Sequence, residues 1–296
     1  MFMLPNFLGI GVPRSGTTWL HRLLSSHPEV YVPENRKEVS FFTAHYHKGL
    51  AYYERVFPDD ADAGQYKAVG EISPHYLFYP EVPKRIGEIA NLKRFILIVR
   101  SPITRAFSHY RWRIRNDNYP GTFEQFLDDW PQAVQWSTYA EHIQRYWQYF
   151  GRDQVLILIY ERMFTDIDAT RRRIAEFLDV DPSLFPAQAG QEQVNTSSVP
   201  RFRWLYAKAV HFSAALQKRE LHWLTHFVSR RLGVKKLLAG RARAGGSEPS
   251  LSEDQWHRLH DQFREEIAAM EALLGTTLEE WKTPPSPRPE PAPAAG

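Results

Sequence analysis

The chain has 296 residues, 43% of them hydrophobic, with 37 lysines and arginines against 34 aspartates and glutamates for a net charge of +3. That length buries one large core, or a core with a small appendage, and the near-balance of charge points to no partner by itself. With no cysteine there is no disulfide framework, no zinc–thiolate centre and no thiol nucleophile.

In chain order, apolar runs predict strands over 6–11, 67–71, 94–99 and 154–160. Between and after them, amphipathic spacing predicts helices over 17–26, 48–57, 81–90, 102–117, 137–150 and 166–178. Alternation of this kind is the mark of an α/β fold: a P-loop-like, mostly parallel sheet flanked by helices. A helical C-terminal portion follows, with an acidic-to-mixed helix over 252–274 whose apolar stripe is Leu259, Phe263, Ile267, Met270 and Leu274. The expected organisation is a core over 1–200, a basic and aromatic helical portion over 201–282 packed on it, and a disordered proline-rich tail over 283–296.

The first strand leads into Gly11-Val12-Pro13-Arg14-Ser15-Gly16-Thr17-Thr18, a G-x-x-x-x-G-T-T phosphate loop with Thr17 where the lysine of a P-loop stands. Apolar residues on both sides (Phe7, Leu8 and Ile10; Trp19, Leu20, Leu23 and Leu24) supply the strand–loop–helix context. Loop N–H groups and the helix N-terminus converge there, and the cation is Arg14, a fork suited to phosphate or sulfonate oxygens. The third strand, Phe95 to Val99, ends in Arg100 rather than the aspartate that would hold Mg²⁺. Pro102 starts a helix that carries Ser108, so Arg100 and Ser108 form a second anion cradle. An ion pair of Arg100 with Glu71 or Asp128 is the structural alternative. Two cradles without a metal carboxylate describe a nucleotide phosphorylated at two ends.

These residues resemble the sulfotransferases that use 3′-phosphoadenylyl sulfate (PAPS). P-R-S-G-T-T-W-L at 13–20 is similar to the family's 5′-phosphosulfate loop, and R-S-P-x-x-R-A-x-S-x-Y at 100–110 to its 3′-phosphate motif. Lys37-Glu38-Val39-Ser40-Phe41-Phe42, followed by His47-Lys48-Gly49-Leu50, resembles the branch of heparan sulfate sulfotransferases. The resemblance implies PAPS as co-substrate, no metal, Glu38 as catalytic base and Arg14 on the bond that breaks. It implies nucleotide contacts from Arg14, Ser15, Gly16, Thr17, Thr18, Trp19, Arg100 and Ser108. Arg201, in a weak match to a later family loop at 195–201, is added to them. One departure is Gly70-Glu71-Ile72-Ser73-Pro74, where Ile72 stands in place of a family lysine, leaving Arg14 or Lys37 to cover that charge.

Residues 201–243 hold eleven lysines and arginines and one acid, Glu220, interleaved with aromatics. A solvated face, a funnel for an anionic glycan or lipid-linked acceptor, and a patch lying on an anionic membrane all fit that composition. No module for nucleic acid is present in the sequence. His45, His47, His75 and His109 lack the helical pairing and third ligand that zinc takes. No run approaches 18 apolar residues, and residues 1–8 have no leader-like basic start. Animal Golgi members of the family carry an N-terminal anchor, so the expected setting is cytoplasmic, at most peripheral to the inner membrane of a bacterium. A small-molecule kinase and a non-catalytic binder of nucleotides or sulfated glycans are the rival functions.

Overall fold

The computed structural model describes residues 4–34, 36–58, 63–89, 92–191 and 249–285. Arg201, the basic segment 201–243 and the tail beyond 285 lie outside them. β1 (Phe7–Gly11) enters the phosphate loop and α1 (Thr17–Ser25), then β2 (Val30–Tyr31), α2 (Leu50–Glu54), β3 (Ala68–Ile72) and α3 (Val82–Gly87) follow. β4 (Arg94–Val99) leads to α4 (Pro102–Asp117), α5 (Phe123–Asp129), α6 (Gln132–Gln135) and α7 (Ala140–Trp147). β5 (Val155–Ile159), α8 (Tyr160–Met163) and α9 (Ile167–Leu178) complete the first stretch, and α10 (Glu253–Leu274) and α11 (Glu279–Lys282) the second.

The strands lie in the order β2-β3-β1-β4-β5, and every described pair is parallel. β1 and β4 are neighbours, and the chain leaves them on opposite sides of the sheet, so the gap beyond their carboxyl ends is the switch point where such sheets bind ligands. Phe95 to Val99 are all buried, the pattern of a strand covered on both faces. Each such side chain contributes about 1.5–3 kcal/mol on burial. Position 9 stays small because a Cβ there would come within 2.8 Å of Ile72, its partner across the ladder.

α4 begins at Pro102, as its missing N–H allows, and ends at Asn118 in the left-handed conformation. Arg105, fully buried, ties it to the α6 region through Ser137 Oγ at 2.7 Å and the carbonyl of Ala133. α10 opens with a capping box between Ser252 and Gln255 and packs against α4 and α7. Its buried stripe is Trp256, Leu259, Phe263, Ile267 and Met270, with Leu274 half-buried at the end. Glu266, within one turn of Phe263 and Met270, accepts the Tyr139 and Ala140 N–H groups at the start of α7.

The elements differ from the sequence reading at their ends and in five additions, β2, α5, α6, α8 and α11. The helix expected over 48–57 spans only Leu50–Glu54, since Gly49 at φ +76° cannot begin earlier. That expected over 137–150 begins at Ala140, because Ser137 N–H closes the preceding α6 turn on Val134. β2, α5 and α6 are too short to show a period.

Candidate active site

β1 passes its ladder into the loop, with Val12 N–H donating to Ile98 O at 2.9 Å. Gly16, at φ +93°, sits at the N-terminus of α1, and no side chain among the described residues caps that helix. Its first-turn N–H groups therefore face the concavity. A Cβ on Gly16 would stand 3.2 Å from the Tyr160 ring, so only glycine lets the loop lie against it. Arg14 is held at φ +73°, a conformation rare for a residue with a side chain. Its Nε and the Ser15 Oγ are buried with no partner among the described residues. Burial first, then Arg115, Arg100 and Arg105, bring the Arg14 guanidinium down to about 10, which leaves it cationic at neutral pH. Its guanidinium lies 5.9 Å from the Trp112 ring centroid. A cation, a hydroxyl and uncapped N–H groups, all with hydrogen-bonding capacity unfilled, fit a ligand with several anionic oxygens.

Arg100 stands at the end of β4, beside this loop. Its Nε donates to Thr104 Oγ1 at 2.9 Å, its Nη1 to the Arg14 carbonyl at 3.0 Å, and its guanidinium lies 4.4 Å from the Tyr160 ring centroid. The backbone is held as firmly: Tyr139 Oη donates to Arg100 O at 2.9 Å and Ser101 N–H to Glu161 Oε1 at 3.0 Å. Thr104, Ser108 and Trp112 recur every four residues on α4 and so share one face. The acid that faces Arg100 is Glu161, whose carboxyl is raised by burial and lowered by that arginine.

Glu38 lies on the rim, its side chain about 39% exposed. Lys37 Nζ donates to Thr18 Oγ1 at 2.6 Å and stands 3.8 Å from Glu38 Oε1. Burial lowers the Lys37 ammonium, with Glu38 opposing the shift. Behind Glu38 the chain makes one π turn, closed by His45 N–H on Ser40 O at 3.3 Å, with Ser40 at φ +53°. Phe41 and Phe42 anchor the turn, Phe41 stacking on Tyr53 at 4.2 Å. His75 faces Glu38 and packs edge-on against Trp136, whose ring also stacks on His109. Burial, then Arg105, pushes His109 down to about 3, so it is neutral at physiological pH. Ile72 is fully buried over Gly9, and Lys37 is the lysine that reaches the loop.

Thr17 is buried, and the buried Trp19 indole donates to Gly190 O at 2.8 Å. Thr104, Trp112, Tyr160 and Glu161 went unnoticed in the sequence. The signal was present for two of them, since Tyr160 and Glu161 directly follow β5, at the sheet edge where ligands bind.

Fold and site together define a P-loop-type α/β protein whose phosphate loop carries an arginine, Arg14, and no lysine. The sulfotransferase domain matches residues 4–271, and the chain belongs to that family. Over 184 residues it is 32% identical to mouse heparan sulfate glucosamine 3-O-sulfotransferase 3A1, covering 59% of this chain and 46% of that one. Over 199 residues it is 29% identical to mouse bifunctional heparan sulfate N-deacetylase/N-sulfotransferase 4, covering 60% of this chain and 23% of that one. The chain thus spans about half the length, or less, of these curated relatives. The fold is shared with a sulfotransferase from Alicyclobacillus acidocaldarius, at a TM-score of 0.67 and 22% identity over 95% of this chain and 100% of that one.

Proposed function

We propose that the chain transfers a sulfuryl group from PAPS to a hydroxyl or amine of an acceptor in one in-line displacement. The observation that carries this reading is the pair of buried polar atoms, Arg14 Nε and Ser15 Oγ, that have no partner among the described residues, beside the Lys37–Glu38 pair. The acceptor atom attacks sulfur and the bond from sulfur to the 5′-phosphate oxygen breaks. Glu38 takes the acceptor proton, and adenosine 3′,5′-bisphosphate leaves. Arg14 offsets the charge that grows on the leaving oxygen, a term that strengthens in a water-poor site. Lys37, bridged to Thr18, supplies the positive charge that position 72 does not. Arg100 and Ser108 hold the 3′-phosphate and distinguish this nucleotide from AMP.

The acceptor fits a glycan, free or lipid-linked, since the relatives are named for heparan sulfate and residues 201–243 carry a large cationic excess. A cytoplasmic setting is part of the same proposal. Glu38→Gln tests the chemistry. It should leave the thermal shift with adenosine 3′,5′-bisphosphate intact and lower turnover by about 10² to 10⁴, the usual worth of a positioned base. Near-normal turnover in that variant would move the base to another residue.

A further inference from the structure

Glu71, on β3, is fully buried and takes no part in the chemistry above. Its Oε2 accepts from Ser73 Oγ at 2.7 Å, and its Oε1 from Tyr76 Oη at 2.6 Å and Tyr53 Oη at 3.4 Å. The Val39 N–H also donates to this carboxylate. Two of the hydroxyls pass the chain of bonds onward. Ser73 Oγ accepts from Ser40 N–H at 2.9 Å, and Tyr76 Oη from Phe42 N–H at 3.3 Å. Of the four N–H groups that follow Glu38, those of residues 39, 40 and 42 therefore end on one carboxylate, directly or through a single hydroxyl. Glu71 is paired with Leu8 across the ladder, so the same strand pair carries this carboxylate and the phosphate loop.

We propose that Glu71 is a positioning residue for transfer, fixing through Val39, Ser40 and Phe42 the backbone from which Glu38 reaches the acceptor. This rests on Glu38 being the base. A buried carboxylate is a costly way to fill a core position, and an apolar side chain of similar size would pack there without desolvating a charge. Its benefit lies in geometry: a carboxylate offers about four acceptor sites, and here four donors use them. Burial raises Glu71 to about 7, its hydrogen bonds opposing the shift. The groups that face it are Tyr53 from α2, Ser73 and Tyr76 from the turn after β3, Val39 N–H from the base loop, and Tyr146 from α7. Protonation turns one acceptor site into a donor, so turnover should fall as pH drops through about 7.

The test compares wild type with Glu71→Gln and Ser73→Ala. Amide hydrogen exchange is followed over 37–46 with adenosine 3′,5′-bisphosphate bound, and kinetics are measured with labelled PAPS and heparan sulfate. Glu71→Gln should speed exchange over 39–42 about tenfold or more. It should lower kcat about ten- to a hundredfold, keep the KM for PAPS within about twofold and erase the turnover arm near pH 7. Ser73→Ala, a smaller change that decides the matter if Glu71→Gln does not fold, should speed exchange at Ser40 with a smaller loss of kcat. Unchanged exchange in either folded variant overturns the proposal. So does a loss of kcat matched by a raised KM for PAPS, which would mark a general structural role. If wild type transfers nothing to any acceptor, the sulfotransferase reading fails, while exchange over 39–42 still decides whether Glu71 holds the loop.

Discussion

Glu71→Gln should also change how stability depends on pH, and the size of that change follows from burial. In the folded protein the carboxyl is raised from the ordinary 4.5 to about 7, so the native state binds its proton more tightly than the unfolded chain does. The sign is fixed by linkage: this contribution is complete below about 4.5 and is lost as pH rises through about 7. A gap of about 2.5 pH units at 1.36 kcal/mol each is about 3 kcal/mol. Glutamine does not titrate, so its effect on stability is a constant offset. The stability of the variant minus that of wild type should therefore grow by about 3 kcal/mol between pH 4.5 and pH 8, whatever the other carboxylates do. At about 2 °C per kcal/mol for a domain of this size, the melting temperatures should diverge by about 6 °C. Urea denaturation of both proteins at pH 5, 6, 7 and 8 measures it. Curves that run parallel from pH 5 to pH 8 would refute the reasoning, because they require a carboxyl with the same affinity for its proton in both states.

Arg100→Ala should erase the preference for adenosine 3′,5′-bisphosphate over AMP. In wild type the bisphosphate at a hundred times its Kd raises stability by about 2.7 kcal/mol, and equal shifts from both nucleotides would remove Arg100 from the site. Gly16→Ala places a methyl at φ +93° and 3.2 Å from Tyr160, which should cost about 1–3 kcal/mol in urea denaturation and weaken nucleotide binding in calorimetry. Trp281→Phe removes the 3.0 Å bond from Nε1 to Glu161, leaving a buried carboxylate short of a donor. Stability should fall by about 1–3 kcal/mol, and the bisphosphate should lose more affinity than AMP, because Glu161 also holds the Ser101 N–H.

The fold was legible where burial imposes a period. β1, β4 and β5 are largely apolar runs of five or six residues, β3 is one interrupted by Gly70 and Glu71, and α10 repeats its apolar side chains over six turns, so each could be read from spacing alone. β2 has two residues and α6 four, and nothing shorter than a turn or two has a period to read. The site divides in the same way. The residues proposed for the nucleotide, Arg14, Gly16, Arg100 and Ser108, lie in two contiguous segments, so a local pattern suffices to suggest them. The Glu71 network joins residues 18 and 34 apart through hydroxyls, and the Lys37–Thr18 bond spans 19, so neither leaves a local pattern. Glu71 could be considered in the sequence only as a partner for Arg100, because a lone glutamate in a strand gives no sign of which donors will surround it. Thr104 was closer to legible, standing one helical turn from both Arg100 and Ser108.

The bond between Trp281 and Glu161 links residues 120 apart in the chain. A ribosome adds about 5–20 residues per second, so Glu161 emerges some 6–24 s before its indole partner. All five strands among the described residues are synthesised by residue 159, and that sheet can form in the interval. The carboxylate that secures the start of α4 must wait for its indole donor. The arrival of α11 then comes after the sheet, and a nascent chain should acquire its sheet before it acquires a tight grip on nucleotide.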